Sequence, residues 1–401
     1  MARFPLFALL ATLGTIAFVG TLASMALSPF FPNLSTELGI PVALLGQLPA
    51  ITMLLAAGLG LVLGPLADVM GYRRLLAIGM GAVLVTALLT LSAASYAVLV
   101  VAAIVAAVNR ATLFPLCYAI AGSRLAPESA RRAISGVQMT AGAAVVVGIP
   151  LLTTVAALLE WRGAFGLLAV LAIPALLLAR FVLPPDPPRG RRRARPAEML
   201  RAYAPLLRDP PLLGIYGAIF SRTAAGWLIV TYLGAFLVSE RGLDTQQVGI
   251  AFALVGVGHI LGSGLAGGRV GRLPLRPLLG GANLTFGTLA GASLLLPLDA
   301  VLVVAVLTVA LIGNGVCEVT EATLLARETA GGQGTTMTLL GSASNLGAAA
   351  GSGLGGLLLA LGGFPLLALA APLAGLAGAL ALWTLRRRQE APTSVSASAD
   401  S

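Results

Sequence analysis

Twelve stretches of this chain are long and apolar enough to cross a bilayer, and that pattern constrains the fold more than any other feature. A helix crossing the hydrocarbon core needs roughly 20 mostly apolar residues. The candidates lie near residues 8–31, 43–66, 74–94, 97–121, 134–157 and 163–183, then 211–237, 247–268, 276–297, 300–324, 335–360 and 363–385. They are numbered spans 1 to 12 in chain order. In lipid the backbone must satisfy its own hydrogen bonds, so each such segment is expected to be a helix. Composition agrees: 58% of the 401 residues are hydrophobic and 10% charged, whereas a soluble domain carries about 25% charged residues to face water. The expected class is therefore an all-α membrane protein. The apolar run in residues 1–29 exceeds the ~7–15 residues of a cleavable signal core, so it reads as an uncleaved first span.

The charge distribution gives topology rather than a nucleic-acid surface. Net charge is +10 and every basic residue is arginine. Of the 25, all but Arg110, Arg162, Arg222 and Arg241 fall on one set of alternate span ends, the linker and the two termini. Glu37, Glu160, Glu240, Asp244 and Asp299 collect on the other side. The positive-inside rule places the arginine-rich side, with both termini, in the cytoplasm. Between spans 6 and 7 the run PPDPPRGRRRARPAEMLRAYAPLLRDPP is rich in proline and arginine and reads as a basic cytoplasmic linker, with a short surface helix expected around residues 197–207. The expected organisation is a six-helix half over residues 1–183, a linker over 184–210, a second six-helix half over 211–385, and a disordered tail over 386–401. Cys117 and Cys317 both lie in apolar segments and His259 is the only histidine, so neither a disulfide framework nor a histidine metal site is indicated.

The segment GPLADVMGYRR, Gly64 to Arg74, joins spans 2 and 3, and GLAGGRVGRLP, Gly264 to Pro274, joins spans 8 and 9. Gly64 and Gly264, like Gly71 and Gly271, stand 200 residues apart. Two parallel copies of a six-span unit with a site between them form a transporter architecture.

On these residues the chain resembles the major facilitator superfamily over nearly its whole length. Gly64, Leu66, Asp68, Gly71 and Arg73 match that family's loop 2–3 signature, while Val69 and Tyr72 stand where it usually has arginine. Gly148 and Pro150 on span 5, followed by Trp161, Arg162 and Phe165, look like the G-x-P and W-R-x-x-F pattern of bacterial proton-coupled drug and sugar exporters, although the later glycines of the fuller span 5 signature are missing. The resemblance implies a major facilitator fold, with spans 1, 4, 7 and 10 lining a central cavity. It further implies that Asp68 meets the start of span 11, near Thr335, and latches the halves together in one state; the alternative is a plain cap on span 3.

Ionisable groups inside a span cost about 2.5–3.5 kcal/mol each on insertion scales and are functional candidates by default. They are Arg110 on span 4, Arg222 on span 7, His259 on span 8 and Glu318 on span 10, with Glu321 toward the cytoplasmic end of span 10. Asn314, Glu318 and Glu321 have i, i+4, i+7 spacing and share one helix face. Glu318 is either a proton carrier or half of an ion pair with Arg110 or Arg222. Glu321 is expected to be a gate or surface charge. Arg110 stands at the span 4 arginine of many proton-coupled members, and either tunes a proton site or binds an anion. His259, among small neighbours, either titrates or simply packs. Phe114, Tyr118, Trp227 and Tyr232 lie on the cavity-lining spans and face either a ligand or lipid. Span 1 carries Thr12, Thr15, Thr21 and Ser24 but no acid.

The function expected is secondary active transport, proton-coupled export of a small drug, sugar or metabolite, by a monomer in a bacterial plasma membrane, with the proton gradient as energy source and no cofactor. Uptake of a small solute, anionic or not, by symport or uniport is the second reading, and a non-transporting sensor the third. No G-x-x-x-x-G-K-[ST] phosphate loop is present. A membrane enzyme is disfavoured, since no paired carboxylates or nucleophile–base set converge in the sequence.

Overall fold

The computed structural model describes residues 6–125, 127–183, 203–267, 273–328 and 333–386. Among these residues the structure is helical throughout, with ten segments long and apolar enough to cross a membrane. Two of the ten, Gly136–Val182 and Thr336–Thr384, are each long enough for two crossings. Each is broken once: at Leu159 and Glu160 in the first, and at Gly362 and Gly363 in the second. Counting both sides of each break gives twelve spans among the described residues. Glu160 has φ 60 and Gly363 φ 68, and both reverse the chain.

Local sequence explains where the helices stop. Span 1 runs from Leu6 to Met25, passes through a tight turn at Ser28–Phe30 and resumes as Phe31–Leu38. Pro29 lies in the first turn of the short segment, where its missing N–H costs nothing. The span thus extends past the residue 31 expected from hydropathy. Span 2, Gln47–Met70, and span 3, Tyr72–Leu91, are separated by Gly71 alone. Its φ of 85 favours glycine, and its N–H closes span 2 on the Ala67 carbonyl at 2.9 Å. Arg73, two residues later, donates from Nε to the Arg180 carbonyl at 2.8 Å and fastens the start of span 3 to the end of span 6. Of the expected linker helix, residues 203–208 are helical and residues 197–202 lie outside the described residues.

On span 5, Pro127–Ala143 leads into a wide π-helical turn, Ala144–Gly148, before the helix resumes at Ile149. Pro150 offers no N–H to an α-helical ladder, and the extra residue in the turn lets the helix pass it. A Cβ on Gly148 would lie 2.8 Å from Leu22, so the glycine lets span 5 press against span 1.

Span 7 is Pro210–Arg241, span 8 Thr245–Gly267, span 9 Leu275–Leu295 and span 10 Ala300–Glu328. Among the described residues the two halves share one apolar core near the arginine-poor face, where Phe30, Leu45 and Leu152 cluster with Tyr232, Phe252 and Leu307. Nearer the arginine-rich face the buried apolar residues sort into separate clusters. One holds Leu13, Leu76 and Leu116 of the first half; the other holds Ile215, Leu279 and Leu325 of the second. Polar bonds tie the halves on the closed side: Ser28 Oγ donates to the Thr231 carbonyl at 2.8 Å, and Gln47 Nε2 to the Gly353 carbonyl at 3.0 Å.

Candidate functional site: a polar chain across spans 7, 8 and 10

Close backbone packing positions the site. Gly258 and Gly262, one helical turn apart, press span 8 against the Thr308 and Ile312 carbonyls of span 10, and Gly315 of span 10 presses back on the His259 carbonyl. Small residues at this spacing let helices approach closely in a bilayer. The approach brings the His259 ring to span 10.

Five side chains then form one hydrogen-bonded chain. Arg222 of span 7 donates from Nε and Nη2 to the two carboxylate oxygens of Glu321, at 2.8 and 2.7 Å. Its third nitrogen, Nη1, donates to Asn314 Oδ1 at 2.9 Å. Asn314 Nδ2 lies 3.2 Å from His259 Nδ1, and His259 Nε2 lies 3.0 Å from Glu318 Oε2. The Arg222–Glu321 end is sealed, with side-chain exposures of 8% and 2%. The other end is open, the Glu318 side chain being 47% exposed.

Two expectations are corrected by this geometry. Glu321 is not a surface charge: it is buried and committed to Arg222 in a two-point ion pair. Spans 7 and 10 extend to Pro210 and Glu328, so a residue counted as near the membrane edge sits well inside the packed helices. Glu318, in turn, forms its close pair with neither Arg110 nor Arg222; all three nitrogens of Arg222 are turned to Glu321 and Asn314, and the close span 8 contact presents His259 instead. His259 both packs its backbone against span 10 and uses both ring nitrogens.

Arg110 of span 4 stands apart. Its Nε donates to Asn345 Oδ1 of span 11 at 3.1 Å, and its guanidinium lies 5.6 Å from the Trp227 ring of span 7. These contacts bridge the halves, and both partners are neutral. Of the aromatic candidates, Tyr232 is buried and donates to the Ser352 carbonyl at 2.6 Å, so it seals the closed side. Phe114 and Tyr118 remain half-buried on span 4 with ring centres 6.0 Å apart. On the arginine-poor face Trp161 Nε1 donates to Glu37, Arg162 pairs with the same carboxylate, and Arg162 Nη2 reaches the Ala93 carbonyl at 3.0 Å. Phe165 stacks edge-on to Trp161 at 6.0 Å. These contacts fasten the turn between spans 5 and 6 to the end of span 1.

Gly64 and Asp68 lie within the span 2 helix and residues 333–335 open span 11, but the surroundings of these side chains fall outside what the structure describes. Among the described residues Cys117 and Cys317 are free and buried. Asn345 is the participant that sequence reasoning missed. Its only signal was a lone amide in the small-residue run GSASNLGAAAG.

Comparisons with known proteins agree with the fold. The family model described as the Major Facilitator Superfamily matches residues 13–340 and, in a second match, 215–400. An MFS-type transporter of Bacillus subtilis (strain 168), YbcL, is 24% identical over 256 residues, 64% of each chain. A chloramphenicol resistance protein of Streptomyces lividans is 28% identical over 263 residues, 64% of this chain and 65% of that one. A probable sugar efflux transporter of Helicobacter acinonychis (strain Sheeba) is 23% identical, covering 60% of this chain and 63% of that one. The matches thus span a little under two thirds of these relatives' length. Among solved structures, a mutant of the nucleoside transporter NupG has a TM-score of 0.75 at 12% identity, covering 94% of this chain and 99% of that one. A bacterial homolog of the human lysosomal transporter Spinster, in an inward-facing and unoccupied conformation, has a TM-score of 0.66 at 15% identity, covering 96% of both chains.

Proposed function

The chain belongs to the major facilitator superfamily, and on that premise we propose that it exports a small organic compound across a bacterial plasma membrane in exchange for protons. Glu318 carries the reading. It is a carboxylate deep within a span, about half exposed, and held by a neutral-capable imidazole rather than clamped by an arginine. An exchanger needs a group of this kind, one that protons reach and leave within the membrane. Glu321 does not meet the need, since losing its charge would strand Arg222.

The direction of transport is supported by the drug and sugar exporters among the relatives and by the Gly148, Pro150 and Trp161–Phe165 pattern. The arginines favour both termini in the cytoplasm. With that orientation, the separate apolar clusters near the arginine-rich face and the shared core opposite describe a cavity open to the cytoplasm. Arg110, Trp227 and Asn345 meet across the halves between these regions, and a transported compound would touch them. The protein acts as a monomer in this reading. Asp68 acts as the latch on the cytoplasmic side, so Asp68→Asn slows export while the protein still inserts; export at the normal rate would remove the latch from the mechanism.

The test uses everted vesicles with an acidic lumen, a pH-sensitive dye, and a panel of neutral, cationic and anionic solutes. A compound that drains the gradient with the wild type but not with Glu318→Gln is the expected result. A compound carried by reconstituted protein without any proton movement would replace exchange by uniport.

A further inference from the structure

Hydrogen-bond direction along the five-residue chain is fixed at its buried end. An arginine guanidinium only donates. Arg222 Nη1 therefore requires the carbonyl oxygen of Asn314, which turns the Asn314 amide nitrogen toward His259 Nδ1. An amide nitrogen also only donates, so Nδ1 must present its lone pair. A neutral imidazole has one N–H, which is then on Nε2 and points at Glu318 Oε2. The tautomer of a histidine is set by what its other nitrogen bonds to.

We propose that Asn314 is a positioning residue that keeps His259 neutral with its proton on Nε2, leaving Glu318 as the group that takes the transported proton. The second clause rests on the export reading; the first does not.

Protonating Nδ1 would set an N–H against the Asn314 NH₂. Rotating the amide to relieve that clash would set the NH₂ against Arg222 instead. Arg222 cannot turn away, because Glu321 grips two of its nitrogens in a buried pair. An incoming proton therefore joins the Glu318 carboxylate, and one negative charge disappears there. The free oxygen, Oε1, can accept it without breaking the bond from His259 Nε2. The groups that feel the change electrostatically are His259 on span 8, Arg222 on span 7, Arg110 and Tyr118 on span 4, and Glu321 on span 10 itself. Protonation at Glu318 thus removes the carboxylate acting on Arg110, the arginine that bridges the two halves.

His259 is the chain's only histidine, so protein labelled with ¹⁵N-histidine and freed of any polyhistidine tag gives the signals of one imidazole. The expected spectrum is that of a neutral ring protonated on Nε2 rather than on Nδ1. Asn314→Asp supplies two acceptors, and its imidazole is expected to be doubly protonated at neutral pH. Asn314→Leu leaves Nδ1 without a donor, and its ring is expected to lose the single-tautomer signature. A wild-type ring that is protonated on Nδ1, or is an imidazolium at pH 7, overturns the proposal without reference to any variant. A wild-type signature retained in Asn314→Leu also overturns it. In the vesicle assay, His259→Gln is expected to keep measurable proton exchange where Glu318→Gln has none; loss of exchange in both would make His259 a proton carrier and sink the second clause. If no compound exchanges for protons even with the wild type, the export reading fails while the tautomer result stands.

Discussion

Two arginines sit inside the membrane, one in each half, and their surroundings are opposite. Arg222 is enclosed, its charge met at two points by Glu321 and its third nitrogen turned to Asn314. Arg110 is half-buried, in contact with an amide and an indole ring, and it crosses from one half to the other. A buried charge must be paired with good geometry or it destabilises the fold. Arg222 meets that demand within its own half and in any state that preserves the half. Arg110 meets it only through contacts that cross between the halves. The first is held within one half; the second joins the two.

The largest effect should come from Glu321→Gln, which strands Arg222. Breaking one side of a buried pair costs about 3–5 kcal/mol, and thermal unfolding in detergent should show a large drop. The double change Arg222→Met with Glu321→Leu should recover most of it; an unchanged melting point in the single variant would erase the contrast between the arginines. Next comes Gly262→Ala. Its new methyl meets the Ile312 carbonyl, and overpacking of this kind costs about 1–3 kcal/mol. Gly264→Ala, two residues along the same helix with open space at that position, should differ little from the parent in the same assay. Arg110→Gln should then change stability by less than about 1 kcal/mol, because no two-point ion pair is broken. Its transport rate should fall about tenfold or more, equivalent to about 1.4 kcal/mol of barrier. A variant that unfolds like Glu321→Gln would give Arg110 the same structural role as Arg222. The smallest effect is expected at the partly exposed Glu37–Arg162 pair, where Arg162→Ala should change stability by about 1 kcal/mol or less.

The fold was legible because lipid makes each helix answer for its own backbone, so twenty residues of local sequence carry the information. Gly71 was legible for the same reason: a one-residue turn between two helices needs positive φ, and glycine supplies it. The site was legible by face and not by partner. Spacing alone put Asn314, Glu318 and Glu321 on one side of span 10, and the structure uses all three from that side. Which charge each would meet depended on how closely span 8 approaches, and that is set by Gly258, Gly262 and Gly315 acting on carbonyls in another helix. Depth counted from a hydropathy edge misplaced Glu321, since spans 7 and 10 run beyond the apolar core. Asn345 carried too little signal to be singled out, because an amide is ordinary until an arginine from the other half arrives beside it.

The Trp227 ring beneath Arg110 also makes this site optically addressable. The chain has three tryptophans, at 161, 227 and 383. Trp161 is bonded to Glu37 at the outer turn, and Trp383 is exposed near the end of span 12. With those two replaced by phenylalanine, all indole emission would come from the ring that a guanidinium covers at 5.6 Å. Any solute that draws Arg110 away, or any closing of the cavity around it, would alter the colour and intensity of that light without a label being attached.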